Sequence, residues 1–230
     1  MSATTEGPDG LQLRWRQFRQ PDPGAADAAD RAFGMWLLDD PDVLLDRITQ
    51  EEYERNDERM PYFGALWPSA ESLVDHVLAG PRLDGVELLD LGCGLGACGL
   101  AALARGARVT FMDWEPRALA IVAQSVRTQG RAADAVRLVT ADWRRPPPLG
   151  PFDRVLGADV LYEERNAPAV ADFLATHLEP GGEAWITDPG RPHARRFPAL
   201  ATARGLRVLG STPLAALPHG IAVALHRFGH

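Results

Sequence analysis

The run Val86-Glu-Leu-Leu-Asp-Leu-Gly-Cys-Gly-Leu-Gly-Ala-Cys-Gly99 leaves few folds open. Val86, Leu88, Leu89 and Leu91 form an apolar stretch of strand length, and turn signals begin at Gly92. Gly92, Gly94 and Gly96 fall at alternate positions. Such spacing lets the backbone turn tightly and present main-chain atoms to a ligand with no Cβ in the way. Leu100, Leu103 and Ala104 then share one helical face, and Gly106 supplies the stop. Packing a helix on a strand accounts for one glycine at this spacing, not for three.

The remaining pattern alternates strand and helix. Strands are predicted at Arg108–Met112, Val136–Thr140, Arg154–Ala158 and Glu183–Thr187, with Leu206–Leu209 and Ile221–Arg227 closing the chain. Helices are predicted from Pro116 to Gln129, where proline suits the first turn, from Ala167 to Leu178, and over Arg195–Arg204. Strands joined by helical crossovers give a doubly wound, mostly parallel α/β sheet of seven strands, Rossmann-like, with helices on both faces. The segment 81–230 reads as this domain, and 1–80 as an extension covering the substrate and cofactor side. Within the extension, residues 1–10 read as frayed, Leu11–Phe18 as a short edge strand, and Ala25–Leu38 and Asp42–Glu54 as helices. The extension is therefore expected to be mainly helical. Ser69 is expected to cap a helix over Ala70–Leu78, behind an aromatic cluster of Tyr62, Phe63 and Trp67 bracketed by prolines.

In open sheets of this type a ligand binds beyond the carboxyl ends of the strands, where the strand order reverses. Acidic residues gather at those ends: Asp90, Asp113, Asp142, Asp159 and Asp188. Turn chemistry explains any one of them; together they require something to neutralise or hydrogen-bond them. Two ligands suit the glycine turn. The spacing Gly94-x-Gly96-x-x-Gly99 matches a dinucleotide fingerprint, which sets a pyrophosphate on a helix N-terminus. Asp90 at the strand end would repel that pyrophosphate, whereas it attracts a ligand carrying an ammonium and a sulfonium. Charge therefore favours S-adenosylmethionine over a nicotinamide or flavin.

Composition narrows the partners. With 24 Lys and Arg against 31 Asp and Glu the chain carries a formal charge of −7 and no basic patch, so nucleic acid is not the expected partner. No apolar run reaches transmembrane length and the first ten residues are polar, so membrane partners are not expected and a cytoplasmic location is. Cys93 and Cys98, the only cysteines, read as small packing residues in a reducing compartment. No metal-ligand spacing appears.

From residue 60 onward, and most specifically in Asp90-Leu-Gly-Cys-Gly-Leu-Gly96, the chain resembles class I S-adenosylmethionine-dependent methyltransferases. The resemblance implies that Asp90, Gly92, Gly94 and Gly96 line the methionine part of the cofactor. It also implies that Asp113 takes both ribose hydroxyls, with Trp114 beside the adenine, and that Asp142 and Trp143 meet the adenine amino group. A narrower resemblance is to the family 16 lysine methyltransferases, carried by Leu66-Trp67-Pro68 and by Asp159-Val-Leu-Tyr162. The piece Asp188-Pro-Gly-Arg-Pro192 looks like the branch acting on the electron-transfer flavoprotein β subunit. That family implies Trp67 near the cofactor, Asp159 and Tyr162 as catalytic residues, and Asp188 and Arg191 on the substrate side. The implied acceptor is the lysine of a protein substrate, with a small-molecule amine as the alternative, and the enzyme is expected to act as a monomer. A non-catalytic, cofactor-binding interaction protein is the reading from another class.

Overall fold

The computed structural model describes residues 3–19, 31–57, 60–130, 133–215, 217–218 and 220–230. Seven strands form the main sheet: β4 (Glu87–Leu91), β5 (Arg108–Asp113), β6 (Val136–Thr140), β7 (Phe152–Ala158), β8 (Leu178–Asp188), β9 (Arg207–Pro213) and β10 (Ala224–Gly229). Their spatial order is β6-β5-β4-β7-β8-β10-β9. The five inner-sequence strands are parallel, whereas β10 runs antiparallel to both β8 and β9. The order reverses between β4 and β7, so the glycine turn after β4 opens at the switch point. Helices α4 (Ala97–Ala104), α5 (Pro116–Thr128), α6 (Asn166–His177) and α7 (Phe197–Thr202) connect the strands. The fold expected from the alternation of patterns is thus the one found, with boundaries shifted by a few residues.

Buried side chains collect into two clusters, one on each face of the sheet. On one face Leu88, Val109, Phe111, Leu100, Ile121 and Val122 pack under α4 and α5. On the other, Leu89, Leu91, Met112, Val155, Phe173, Leu174 and Ile186 pack under α6. Alternate residues of β4 and β5 divide between the two, as a pleated sheet covered on both sides requires. Gly99 lies inside α4, where an added Cβ would stand 2.3 Å from the ring of Phe111. The missing side chain sets how closely the helix approaches the strand.

The N-terminal extension is not mainly helical. Strands β1 (Thr4–Glu6), β2 (Gln12–Arg19) and β3 (Ala32–Leu38) form a separate antiparallel sheet with β2 in the centre rather than at an edge. The Ala25–Leu38 helix is therefore corrected to a strand over Ala32–Leu38; its earlier part lies outside the described residues. The apolar run Phe33, Met35, Trp36, Leu37 and Leu38 is buried on both faces, and such a run carries no period that separates helix from strand. The free edge of β3 is not left open. The amides of Gly34 and Trp36 donate to Gln129 Oε1 at 3.1 Å and Ser125 Oγ at 3.0 Å, so side chains at the end of α5 and just beyond it finish the ladder.

Two short helices, α1 (Val43–Arg47) and α2 (Gln50–Arg55), replace the single predicted one. Thr49 separates them, because its side chain and that of Glu52 form a reciprocal capping box at the start of α2. Helix α3 (Pro68–Ala79) begins two residues earlier than expected, with Pro68 in its first turn. Ser69 is consequently a buried residue inside the helix, not its cap, and its carbonyl accepts the Thr187 hydroxyl at 3.0 Å.

Candidate active site at the sheet reversal

A cavity of about 330 Å³ lies over the carboxyl ends of β4, β5 and β7. That volume is within the range of small-molecule sites, roughly 300–1,000 Å³. It is lined by Asp90, Gly92, Cys93 and Gly94 from the first turn, Asp113 and Trp114 from the second, Trp143, and Asp159, Tyr162 and Arg191. Met60, Tyr62, Phe63 and Trp67 close it from the proline-bracketed segment.

The glycine turn has the backbone that the sequence demands. Gly92, Gly94 and Gly96 have φ of 62°, 51° and 81°, the left-handed region that side chains disfavour. Space excludes a Cβ as well: at Gly92 one would meet Trp143 at 2.7 Å, and at Gly94 the Phe63 carbonyl at 3.2 Å. The turn is thus roofed by the aromatic segment.

Two buried carboxylates hold the turn in shape. Asp90 Oδ2 accepts the Gly99 amide at 2.7 Å, and Asp113 accepts the amides of Gly94 at 2.8 Å and Glu115 at 3.0 Å. Burial pushes the Asp90 carboxyl up to about 7, against the Gly99 amide, and the neighbouring Asp113 adds to the rise. Burial likewise lifts Asp113 to about 6, against the backbone amides of Glu115, Gly94 and Trp114. Asp113 lines the cavity, and a carboxylate keeps acceptor capacity beyond such amide bonds. Burial also raises both cysteine thiols well above their ordinary value, as expected of packing residues.

Asp142 is set back from the main cavity. It borders a small adjoining cleft with Trp114, Trp143, Arg144, Tyr162 and Arg165. Its carboxylate receives Arg144 Nε at 2.8 Å and the Arg144 amide at 2.9 Å.

The other end of the cavity is built around Asp159. Its φ of 58° is unusual for a residue with a side chain, and its amide donates to the Thr187 carbonyl at 2.9 Å. The carboxylate is almost wholly buried and is grasped side-on by the guanidinium of Arg191, Nε to Oδ1 and Nη2 to Oδ2, the second at 2.9 Å. That hydrogen bonding raises the Arg191 pKa above its ordinary value. Arg191 also stands 5.9 Å from the centre of the Trp67 ring. Tyr62 packs edge-on against both Trp67 and Tyr162, at 5.9 Å and 5.8 Å. The Asp159 carboxylate and the Trp67 ring both meet the Arg191 cation, and the two tyrosine rings pack beside them.

Asp188 does not reach the cavity. It is buried, and its Oδ1 accepts the amides of Gly190 at 2.7 Å and Arg191 at 2.8 Å, so it shapes the loop that carries Arg191. The structure therefore gathers Asp90, Gly92, Gly94, Asp113, Trp114, Trp143, Trp67, Asp159, Tyr162 and Arg191 around one space, with Asp142 at its edge and Asp188 behind it; Gly96 lies outside the lining and faces Val122 and Phe111 of the core. Met60, Tyr62 and Phe63 were not singled out as site residues; the two prolines around the aromatic cluster were the available signal. Asp57 was missed entirely. It lies at the end of α2 and pairs with Arg144 at 2.7 Å and Arg165 at 3.2 Å, and no periodic pattern marks it.

Comparisons with known proteins bear on the fold and the class of chemistry. Residues 88–182 match the family described as "Methyltransferase domain". The electron transfer flavoprotein beta subunit lysine methyltransferase of Danio rerio is 31% identical over 134 residues, covering 57% of this chain and 51% of that protein. The protein N-lysine methyltransferase METTL21A of the same organism is 34% identical over 130 residues, covering 54% of this chain and 58% of that one. The chain thus spans about half the length of the curated relatives it matches. Among solved structures, the N-methyltransferase NodS from Bradyrhizobium japonicum WM9, in complex with S-adenosyl-L-homocysteine, superposes with a TM-score of 0.55. It is 18% identical, covering 83% of this chain and 92% of that one. The fold is that of S-adenosylmethionine-dependent methyltransferases.

Proposed function

We infer that this chain, with its methyltransferase domain over residues 88–182, is an S-adenosylmethionine-dependent N-methyltransferase whose acceptor is a protein lysine. The observation that carries the acceptor reading is the seat formed by Asp159 with Trp67, Tyr62 and Tyr162, which already holds an organic cation, the guanidinium of Arg191.

The residues present fit the cofactor. Gly92 and Gly94 line the cavity with main-chain atoms at positive φ, and Asp113 beside them retains acceptor capacity for a diol. Gly92 and Gly94 would hold the methionine part, Asp113 the ribose, and Trp114, Trp143 and Asp142 the adenine end. Bound there, S-adenosylmethionine supplies a methyl group whose bond to sulfur breaks as the bond to the acceptor nitrogen forms.

The chain's own residues do the positioning. Holding the nitrogen in line and close contributes several kcal/mol, on the order of the effects of well-oriented reactants. A lysine amine, with an ordinary pKa near 10.4, arrives protonated and must give up its proton before it has a lone pair. Asp159 receives and orients the ammonium. Because a carboxylate also favours the charged form, the proton passes onward to water, with Tyr162 beside the path. Trp67, Tyr62 and Tyr162 exclude bulk water and face the cation with their rings.

Calorimetry with S-adenosylmethionine, followed by labelling of a lysate with a methyl-labelled cofactor, tests this reading. Saturable binding and label on lysine of a protein are expected. Label confined to the small-molecule fraction rejects the protein acceptor, and absence of cofactor binding rejects the enzyme.

A further inference from the structure

A buried carboxylate with no partner favours the ammonium form of an amine, and an ammonium has no lone pair with which to attack. At Asp159 the fold supplies a counterweight. Arg191 grips the carboxylate side-on, Nε to Oδ1 and Nη2 to Oδ2, the second at 2.9 Å, and only 4% of the Asp159 side chain is exposed. The pair stands in the cavity wall, with the guanidinium 5.9 Å from the centre of the Trp67 ring. A carboxylate has acceptor positions beyond the two that such a fork uses. An acceptor nitrogen can therefore bind Asp159 with the Arg191 pair intact.

The other acids around the cavity leave this pairing in place. Glu163 is engaged by Arg165 at 2.5 Å. Asp188 acts on Arg191 from behind the loop, but its Oδ1 is held by the amides of Gly190 and Arg191, and burial works against its charge. Those two amide bonds also fix the backbone from which Arg191 reaches Asp159. Asp90 and Asp113 accept the amides of Gly99 and Gly94 at the glycine turn, the opposite end of the space. Arg191 is thus the cation in contact with Asp159, and the pair as a unit carries no net charge.

We propose that Arg191 is a positioning residue that acts through Asp159: it offsets the carboxylate's charge, so that Asp159 orients the acceptor nitrogen without stabilising its protonated form. The lysine ammonium gives its proton to water, and the neutral pair does not draw one back. An Asp159 lone pair outside the fork then accepts an N–H of the neutral amine. The nitrogen lone pair freed in this way forms the new bond to carbon as the bond to sulfur breaks. Two unit charges a few ångströms apart interact strongly where water is scarce, so loss of the guanidinium is felt at the acceptor nitrogen. This inference rests on the amine-acceptor reading of the same site.

The test is calorimetry on the full chain at about pH 7.5, where exposed carboxyls are ionised and an amine is protonated. Two ligands that differ at the reacting position are compared. S-adenosylhomocysteine is neutral there, and sinefungin carries an ammonium on carbon in place of the methylated sulfur. The readout is the ratio of sinefungin affinity to S-adenosylhomocysteine affinity, in which general damage to the site cancels. In Arg191→Met, with Asp159 left unbalanced, the ratio is expected to rise at least about tenfold over wild type. Arg191→Gln, which keeps a donor for the carboxylate without the charge, is expected to do the same and serves if methionine disturbs the fold. In Asp159→Asn the guanidinium faces the ammonium alone, and the ratio should fall at least about fivefold. A ratio that falls in Asp159→Asn but does not rise in the Arg191 variants overturns the proposal, because Arg191 then only packs. A ratio unmoved in every variant means that Asp159 does not face the reacting position, and the acceptor reading fails with this one. If neither ligand binds wild type, it is the cofactor reading that fails.

Discussion

Asp57 Oδ2 lies 2.7 Å from Nη1 of Arg144, and through Arg144 it is joined to Asp142 in the small cleft beside the cavity. The same oxygen reaches Arg165, three residues after Tyr162, at 3.2 Å. One side chain of the N-terminal segment therefore bridges the loops after β6 and β7, the two loops that flank the proposed adenine position. The pairs are half-exposed, so their direct worth to stability is small, about 1 kcal/mol or less. Their effect is expected on loop placement. Asn tolerates the left-handed backbone found at Asp57, so Asp57→Asn removes the charge and keeps the turn. It should weaken S-adenosylmethionine binding by roughly two- to fivefold while moving the melting temperature little, about 2 °C at most. An unchanged dissociation constant would show that the bridge does not order the site.

Asp159→Ala separates cofactor binding from acceptor handling. Asp159 makes its side-chain bonds to Arg191 and none to the glycine turn, so the cofactor should bind within about threefold of wild type. Turnover should fall on the order of a hundredfold or more, the loss expected when a reacting group is misplaced. Wild-type turnover in the variant removes Asp159 from the mechanism. A matching collapse of cofactor affinity instead makes it part of the cofactor site.

The buried carboxylates predict a pH dependence. Asp113 is lifted to about 6 and Asp90 to about 7, both by burial. A carboxyl raised by folding keeps its proton longer in the native state, so its ionisation costs stability as pH climbs from near 4 through the native value. For the protein without cofactor these two groups therefore favour pH 5 over pH 7.5. In the proposed binding mode cofactor binding has the opposite sign, because an ionised Asp113 would accept from both ribose hydroxyls. The dissociation constant for S-adenosylhomocysteine, measured by calorimetry, is expected to weaken about three- to tenfold between pH 7.5 and pH 5.5. In Asp113→Asn, which cannot ionise, most of that slope should vanish. A slope retained in full would assign it to other groups.

The main sheet and its cofactor end were legible because each strand carries its own local signal. The glycine turn declares itself by spacing, and Asp113, Asp142 and Asp159 follow apolar runs of strand length. Three things were not legible. The strand Ala32–Leu38 is buried along nearly its whole length and packs near α4 and α5, so its composition has no period to read. The pairing of Arg191 with Asp159 joins residues 32 apart, and both could be named as site residues without any hint that one would occupy the other. Asp57 stands outside every motif, and its role exists only because the N-terminal segment folds over the loops after β6 and β7. Local pattern gives elements; contacts between distant loops need the folded chain.

Trp36 carries the docking of the N-terminal sheet and offers the sharpest test of it. Its indole is buried, donates from Nε1 to Thr128 Oγ1 at 2.9 Å, and meets Trp15 edge-on at 5.0 Å. Its amide holds Ser125 at the end of α5. Trp36→Ala opens a cavity and removes the bond to Thr128, whose hydroxyl keeps its donation to the Gln124 carbonyl; the lost burial of so large a side chain typically costs about 3–5 kcal/mol. Urea unfolding should show that loss as a lower midpoint with an unaltered slope if the two sheets unfold together. A reduced slope, or an early transition followed by one at the wild-type midpoint, would mean that the N-terminal sheet comes away first. Trp36 does not line the cavity, so the folded variant should still bind S-adenosylmethionine at 20 °C. Loss of binding in protein that remains folded would mean that the small sheet positions the site through α4 and α5, and that its contribution reaches beyond stability.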